Sequence, residues 1–227
     1  MERLFSILTF VVVLMILIAG SGVFLSSKIV VTNAKDEAAQ AAIKGVAQTL
    51  TYQIRLQEQT LDKMAQDAEV ITAINAGNPA VLATTAAKLE KYFPNARKIR
   101  LLPVGTIEPD QVNVPRMGFG DIEMVKATFQ DSPPPAIQGD PGPDRHLAIT
   151  RKIIQNNQVI GVILASLNFD FIDKSLKDGV ADDAYMEIRQ GKLNLSNVGD
   201  KNDVEEDDLN KINVAGTSLD IYYPDPN

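Results

Sequence analysis

Cysteine and tryptophan are absent from this 227-residue chain, and histidine occurs once. Without cysteine there is no disulfide framework and no thiolate chemistry. With a single histidine, a zinc or iron site would have to be built almost wholly from carboxylates, so neither metal nor cofactor is expected. Positive charge is also short, 22 Lys and Arg against 29 Asp and Glu, for a net charge of −7. A chain of that sign repels phosphate backbones, which argues against nucleic acid as a partner. There is no glycine-rich phosphate loop, no GxSxG elbow, no HExxH and no carboxylate pair at a spacing that argues for hydrolysis. No enzyme is expected from these residues.

What the chain does have is one long apolar run, LFSILTFVVVLMILIAGSGVFL from Leu4 to Leu25, without charge or proline. As a helix it would reach roughly 33 Å, enough to cross a hydrocarbon core of about 30 Å. A secretory signal has a shorter apolar core followed by a small-x-small cleavage site, whereas here Val23, Phe24 and Leu25 follow the small residues. The run is expected to be a retained single N-terminal span of the cytoplasmic membrane, with the bulk of the chain periplasmic. The expected division is an anchor over 1–27, a long membrane-leading helix over 28–78 and an extracytoplasmic domain over 79–227.

From Asn33 to Asn75 the only helix breaker is Gly45. Ala47, Leu50, Ile54, Gln57, Leu61, Met64, Ala68 and Ile71 recur at spacings of three and four, the signature of one amphipathic helix. Such a stripe serves equally to pack a helix on its own domain or to pair it with a second copy, and Leu50, Ile54, Leu61 and Met64 are the candidate dimer seam. Gly77 suits a left-handed helix end and Pro79 the start of a second helix through Tyr92.

Beyond Pro94 the periodicity changes. Lys98–Leu102 is expected as a strand, Gly120–Phe129 as a helix capped by Asp121, and Ser132–Pro143 as a proline and glycine loop outside any ladder or helix. Arg145–Ile154 and Gln158–Leu167, joined by Asn156 and Asn157, make a hairpin whose second arm is apolar on both faces and so must be covered on both. A short helix to Lys177, a hairpin over Ala184–Leu195 and a closing strand over Ser218–Tyr223 complete an α+β domain. The acidic run from Asp200 to Asp208 fits the EF-hand pattern poorly, because Glu205 stands where glycine is needed.

Candidate ligand contacts are few. Arg100, Arg145 and Arg151 fall on predicted strands, where an arginine among inward-facing aliphatics needs a carboxylate partner or an anionic ligand. His146 lies beside Arg145 after the flexible loop, where the alternatives are an anion contact or pH sensor on one side and a structural or solvated residue on the other. Phe119 sits in a small-aromatic-small turn leading into the helix of Asp121, whose free N–H groups meet either an anion or that carboxylate.

The order of elements resembles the extracytoplasmic Cache sensor domains of bacteria, with their PAS-like antiparallel sheet. KIRLLPVGTIEPD (Lys98–Asp110), MGFGDIEMVKA (Met117–Ala127) and HLAITRKIIQNNQVIGVILASLNFDFI (His146–Ile172) resemble the N-terminal membrane and periplasmic extension of some long bacterial phosphomannomutase/phosphoglucomutase proteins. The chain departs from that pattern, with no second span before Asn227, no TASHNP-like serine loop and no DGDxD metal loop. The resemblance implies a membrane-anchored sensing or regulatory domain; the strand arginines beside the proline and glycine loop add the expectation of a small anionic ligand between the sheet and the Gly105–Pro143 loops, and the α-helical stripe that of a homodimer. The alternative is a non-binding dimerisation and anchoring module, as the N-terminal region of a membrane-bound mutase would be.

Overall fold

A computed structural model describes residues 37–105, 107–179, 185–200 and 205–224. The apolar run 4–25 lies outside them, and no described helix is long and apolar enough to cross a membrane. The described residues from Ile43 onward form one compact unit.

The helix expected over Asn33–Asn75 is two helices. Residues 37–65 are helical (α1), a turn closes through Gln66 N–H on Lys63 O and Asp67 N–H on Met64 O, and α2 (Ala68–Ala76) restarts. Asp67 causes the restart, because its carboxylate accepts the Glu69 N–H at 2.7 Å as an N-cap. The break resets the helical phase, burying Val70, Ala73 and Ile74 in place of Ala68. Gly77, at φ 60°, ends α2 in the left-handed region, and Asn78 caps α3 (Pro79–Tyr92) with proline in the first turn.

The first sheet contains β1 (Ala96–Pro103), β2 (Ala136–Gln138), β3 (His146–Gln155) and β4 (Gln158–Leu167) in the order β1-β4-β3-β2, every neighbour antiparallel. Asn156 and Asn157 both take positive φ, 50° and 62°, as a two-residue type I′ hairpin turn requires. The Ser132–Pro143 loop departs from expectation by holding β2 between its prolines and its glycines. Ala136, Ile137 and Gln138 keep their N–H groups, and an edge position tolerates the prolines that precede them. β4 is central and covered on both sides. Ile163, Ala165 and Leu167 join Ile99, Leu101, Leu147, Ile149 and Ile153 under α1 and α2, while Val162 and Leu164 join Ala148 under α4 (Phe119–Gln130) and Met117.

A second sheet follows α5 (Asp170–Gly179). β5 (Met186–Gln190), β6 (Leu193–Val198), β7 (Leu209–Asn213) and β8 (Asp220–Pro224) lie in the order β6-β5-β8-β7, with a short 3-10 turn, Glu206–Asp208, ahead of β7. β7 was not foreseen; Leu209 and Ile212 are its only aliphatic residues, too few for a period. The two sheets are tied through β2, since the Gln190 amide accepts the Ile137 N–H at 2.6 Å and donates to the Ile137 carbonyl at 3.0 Å. One side-chain amide thus stands in for a neighbouring strand on the open edge of β2.

α1 spends its apolar stripe within the chain. Leu50, Ile54 and Leu61 are at most 1% exposed, Ala47 and Gln57 are buried beside them, and Met64 is half-buried against the same core. The candidate dimer seam therefore packs on the domain's own sheets. Truncating Ile54 or Leu61 to alanine is expected to cost about 2–5 kcal/mol in urea unfolding, as for a filled core. Tyr52→Ala, on the 70% exposed face, should stay within about 0.5 kcal/mol.

Candidate functional site

Sheet alternation sends Arg100 on β1, His146 and Thr150 on β3, and Ser166 on β4 to the face under α4 and the segment between β1 and α4. Arg100 is 7% exposed, and its fork is occupied by the chain itself. Nε and Nη2 donate to Asp110 Oδ2 at 3.0 and 2.8 Å, Nη2 also reaches the Pro115 carbonyl at 2.6 Å, and Nη1 lies 3.4 Å from Ser166 Oγ. Asp110 in turn orders the segment. Its Oδ1 accepts the N–H groups of Val112 and Asn113, its Oδ2 accepts the Asn113 amide, and its backbone exchanges two hydrogen bonds with Met117. Burial pushes the Asp110 carboxyl up, but hydrogen bonds from Asn113, Arg100 and Val112 outweigh it and hold the group at about 2.

His146 is fully buried, with Nε2 at 2.9 Å from Asp121 Oδ1 and Nδ1 at 2.7 Å from the Asp144 carbonyl. Both ring nitrogens face oxygens, so the imidazole is held from both sides, by a carboxylate and by a backbone carbonyl. Asp121 also accepts the Gly118 N–H at 3.0 Å and thereby caps α4. Of the N–H groups that an anion could have met at this helix start, that of Gly118 already meets a carboxylate, and Phe119 next to it is 81% exposed.

Asp144 is gripped by Arg116, from Nε at 2.6 Å, from Nη2 at 2.5 Å and from the backbone N–H at 2.8 Å. The hydrogen bonds from Arg116 hold its carboxyl below the usual carboxylate range. Arg97 on β1 donates to the carbonyls of Pro143 at 2.6 Å and Arg145 at 3.0 Å, without a carboxylate. Arg145 is half-buried, and its Nε is buried without a hydrogen-bond partner. Arg151 lies on the opposite face, where Glu58 and Asp62 of α1 each accept from its guanidinium at 2.7 Å.

Of the five residues singled out by sequence, the fold therefore gathers Arg100, Arg145 and His146 at one end of the first sheet, leaves Phe119 at its rim and sends Arg151 to α1. Sequence reasoning passed over Asp110, Asp144, Arg116 and Arg97. The Asp110-x-x-Asn113 turn was the readable signal for the first, whereas the Arg116 to Asp144 pair bridges 28 positions with no local pattern. Around that sheet end Asp110, Asp121 and Asp144 are taken up by Arg100, His146 and Arg116, and among the described residues neither Arg97 nor Arg145 forms an ion pair. Among the described residues no group of His, Asp and Glu is placed to hold a metal ion.

The fold is that of the Cache and PAS-like sensor domains, α+β with a long N-terminal helix and two antiparallel sheets. The chain is similar to the periplasmic domain of Vibrio cholerae LuxQ, at 12% identity and TM-score 0.52, over 83% of this chain and 100% of that one. It is similar to the ligand-binding domain of the Campylobacter jejuni chemoreceptor Tlp3 in complex with L-valine, at 7% identity and TM-score 0.55, covering 85% and 93%. The ligand-binding domain of the Pseudomonas fluorescens chemoreceptor CtaA, also in complex with L-valine, matches at 14% identity and TM-score 0.53, covering 84% and 95%. No family model matches the sequence, and no curated protein does.

The Asp110 carboxyl predicts an acid limb of stability. The native carboxylate stays ionised down to about pH 2, while in the unfolded chain it protonates near its ordinary 3.8. Its stabilising contribution is full above about pH 4 and is lost as pH falls toward 2. Circular-dichroism melts of Asp110→Asn are expected to show a lower melting temperature at pH 6 and a shallower decline between pH 4 and 2 than the parent.

Proposed function

We propose that this chain is a membrane-anchored extracytoplasmic sensing or regulatory domain, with the apolar run 4–25 as its anchor, and that it takes a small anionic molecule at the basic end of the first sheet. The observation that carries the reading is Arg145, whose buried Nε has no partner, beside Arg97, whose guanidinium meets only carbonyl oxygens. A buried donor without an acceptor costs roughly 1–3 kcal/mol, which a carboxylate or phosphate oxygen would recover. The likeness to domains that bind L-valine supports the size class of the ligand; the anion follows from the two arginines.

Two connections lead outward from the site. The 139–145 segment continues into β2, which Gln190 ties to the second sheet, and Arg151 on β3 is tied to α1 through Glu58 and Asp62. An anion that draws Arg145 and the segment before it inward would bias both connections, a shift worth only the difference in its affinity for the two arrangements. The rival reading is a dimerising anchor attached to a phosphohexomutase. It draws no support from the α1 stripe, because Leu50, Ile54 and Leu61 are occupied within the chain.

Thermal melts of the full chain against organic acids, amino acids and sugar phosphates test the proposal. A ligand at about 100 times its dissociation constant should add roughly 2.7 kcal/mol, several degrees for a domain of this size. Arg145→Ala should abolish the shift while leaving the unliganded melting temperature within a degree or two. A flat screen on a cooperatively melting protein sinks the proposal.

A further inference from the structure

A second basic concavity lies away from this site, between α1 and the edge strand β7. It is an open groove of about 390 Å³, lined by Lys44, Ala47, Gln48, Thr51, Tyr52 and Arg55 of α1 and closed opposite by Ile212, Asn213 and Ala215. Thr51 Oγ1 accepts the Ala215 N–H at 3.1 Å, which fixes the groove's width at its middle. The spacings from Lys44 through Gln48 and Thr51 to Arg55 keep one helix face toward β7.

No carboxylate lines the groove, although acidic residues outnumber basic ones in the chain. Among the described residues neither Lys44 nor Arg55 takes part in an ion pair. The acidic neighbour Asp220 is already held by Asn213, whose Nδ2 donates to it at 2.9 Å, with Lys211 at 3.9 Å. Between the two cations the floor is apolar, from Ala47, Ile212 and Ala215, and Tyr52 stands at the rim, 70% exposed. Two solvated cations at the ends of an apolar trough attract a molecule with an anionic head and an apolar body.

We infer that the α1–β7 groove binds a small amphipathic organic anion, a carboxylate or phosphate ester carrying an aliphatic or aromatic body, with one of the two end cations, Lys44 or Arg55, taking the charge and Ala47, Ile212 and Ala215 the body. The volume falls within the roughly 300–1,000 Å³ of small-molecule sites. β7 has only five residues, a short edge for adding a peptide strand. The groove does not depend on Arg145, so its ligand need not be the one proposed above.

The absence of cysteine makes a selective test possible. Gln48→Cys in the full chain, held in lipid nanodiscs and labelled with a trifluoromethyl tag, gives a single fluorine resonance in the groove. Hexanoate, benzoate and phenyl phosphate are the probes, and hexanol supplies the uncharged control. At least one anion should shift the resonance saturably, hexanol should need at least tenfold higher concentration, and Lys44→Gln with Arg55→Gln should weaken the anion at least tenfold. Arg145→Ala should leave the titration unchanged, which separates failure of this site from failure of the other. The inference is overturned if none of the three anions saturates, if hexanol matches them, if the double substitution changes nothing, or if only an acidic peptide moves the signal. A tag at Lys63→Cys on the exposed part of α1 should stay silent, and a matching shift there overturns it as well.

Discussion

The constraint on which the rest of the structure depends is β4. Its residues are apolar on both faces, so the hydrophobic effect requires cover above and below the first sheet. One cover is supplied by α1 and α2, whose Leu50, Ile54, Leu61, Val70 and Ile74 close on Ile163, Ala165 and Leu167. Gly161 sits where Ile74 approaches the strand, and a Cβ there would stand 2.9 Å from Ile74 and 2.8 Å from the Leu102 carbonyl, so the close fit of α2 on β4 has a readable cause. The other cover is α4 with the segment before it, lying on Val162 and Leu164.

The two covers differ in chemistry, and the difference places the candidate site. Under α1 and α2 the sheet is aliphatic, with Arg151 neutralised at the margin by Glu58 and Asp62. Under α4 the same strands present Arg100, His146, Thr150 and Ser166, all buried. Burying such groups is tolerable only when each is paired. Asp110 answers Arg100, Asp121 answers His146, and the Thr128 hydroxyl meets Thr150 at 2.6 Å. The segment between β1 and α4 is thus held less by apolar contact than by carboxylates reaching specific partners. Its order should respond to charge, from protons or from a competing anion.

Much of the fold was legible because its signals are local. Asn156-Asn157 marks a type I′ turn, Gly77, Asn78 and Pro79 punctuate two helices, and the period of Leu50, Ile54 and Leu61 marks a buried helix face. Those features follow from φ preferences and amphipathic spacing, which one stretch of chain carries by itself. Signals that depended on a competing local group were misread. Asp67 interrupts a helix that composition alone would continue, and Ala136–Gln138 finds a strand inside a proline-rich loop because β3 offers it an edge.

The sequence by itself determined that this is an α+β chain with an apolar run of spanning length, a long helix, a central hairpin buried on both sides, and no thiol chemistry. It also named arginines that need partners. Which partner each one meets was decided only by tertiary structure. Arg151 found Glu58 and Asp62 some 90 positions away, and Arg116, which the sequence did not single out, found Asp144 across 28, because sheet order and helix packing bring those atoms together. Arg145 was left with a buried nitrogen that nothing in the described chain meets. Pairing between distant charges carries no periodicity in sequence, whereas burial does, so the core could be read residue by residue and the sites emerged only from the assembled fold.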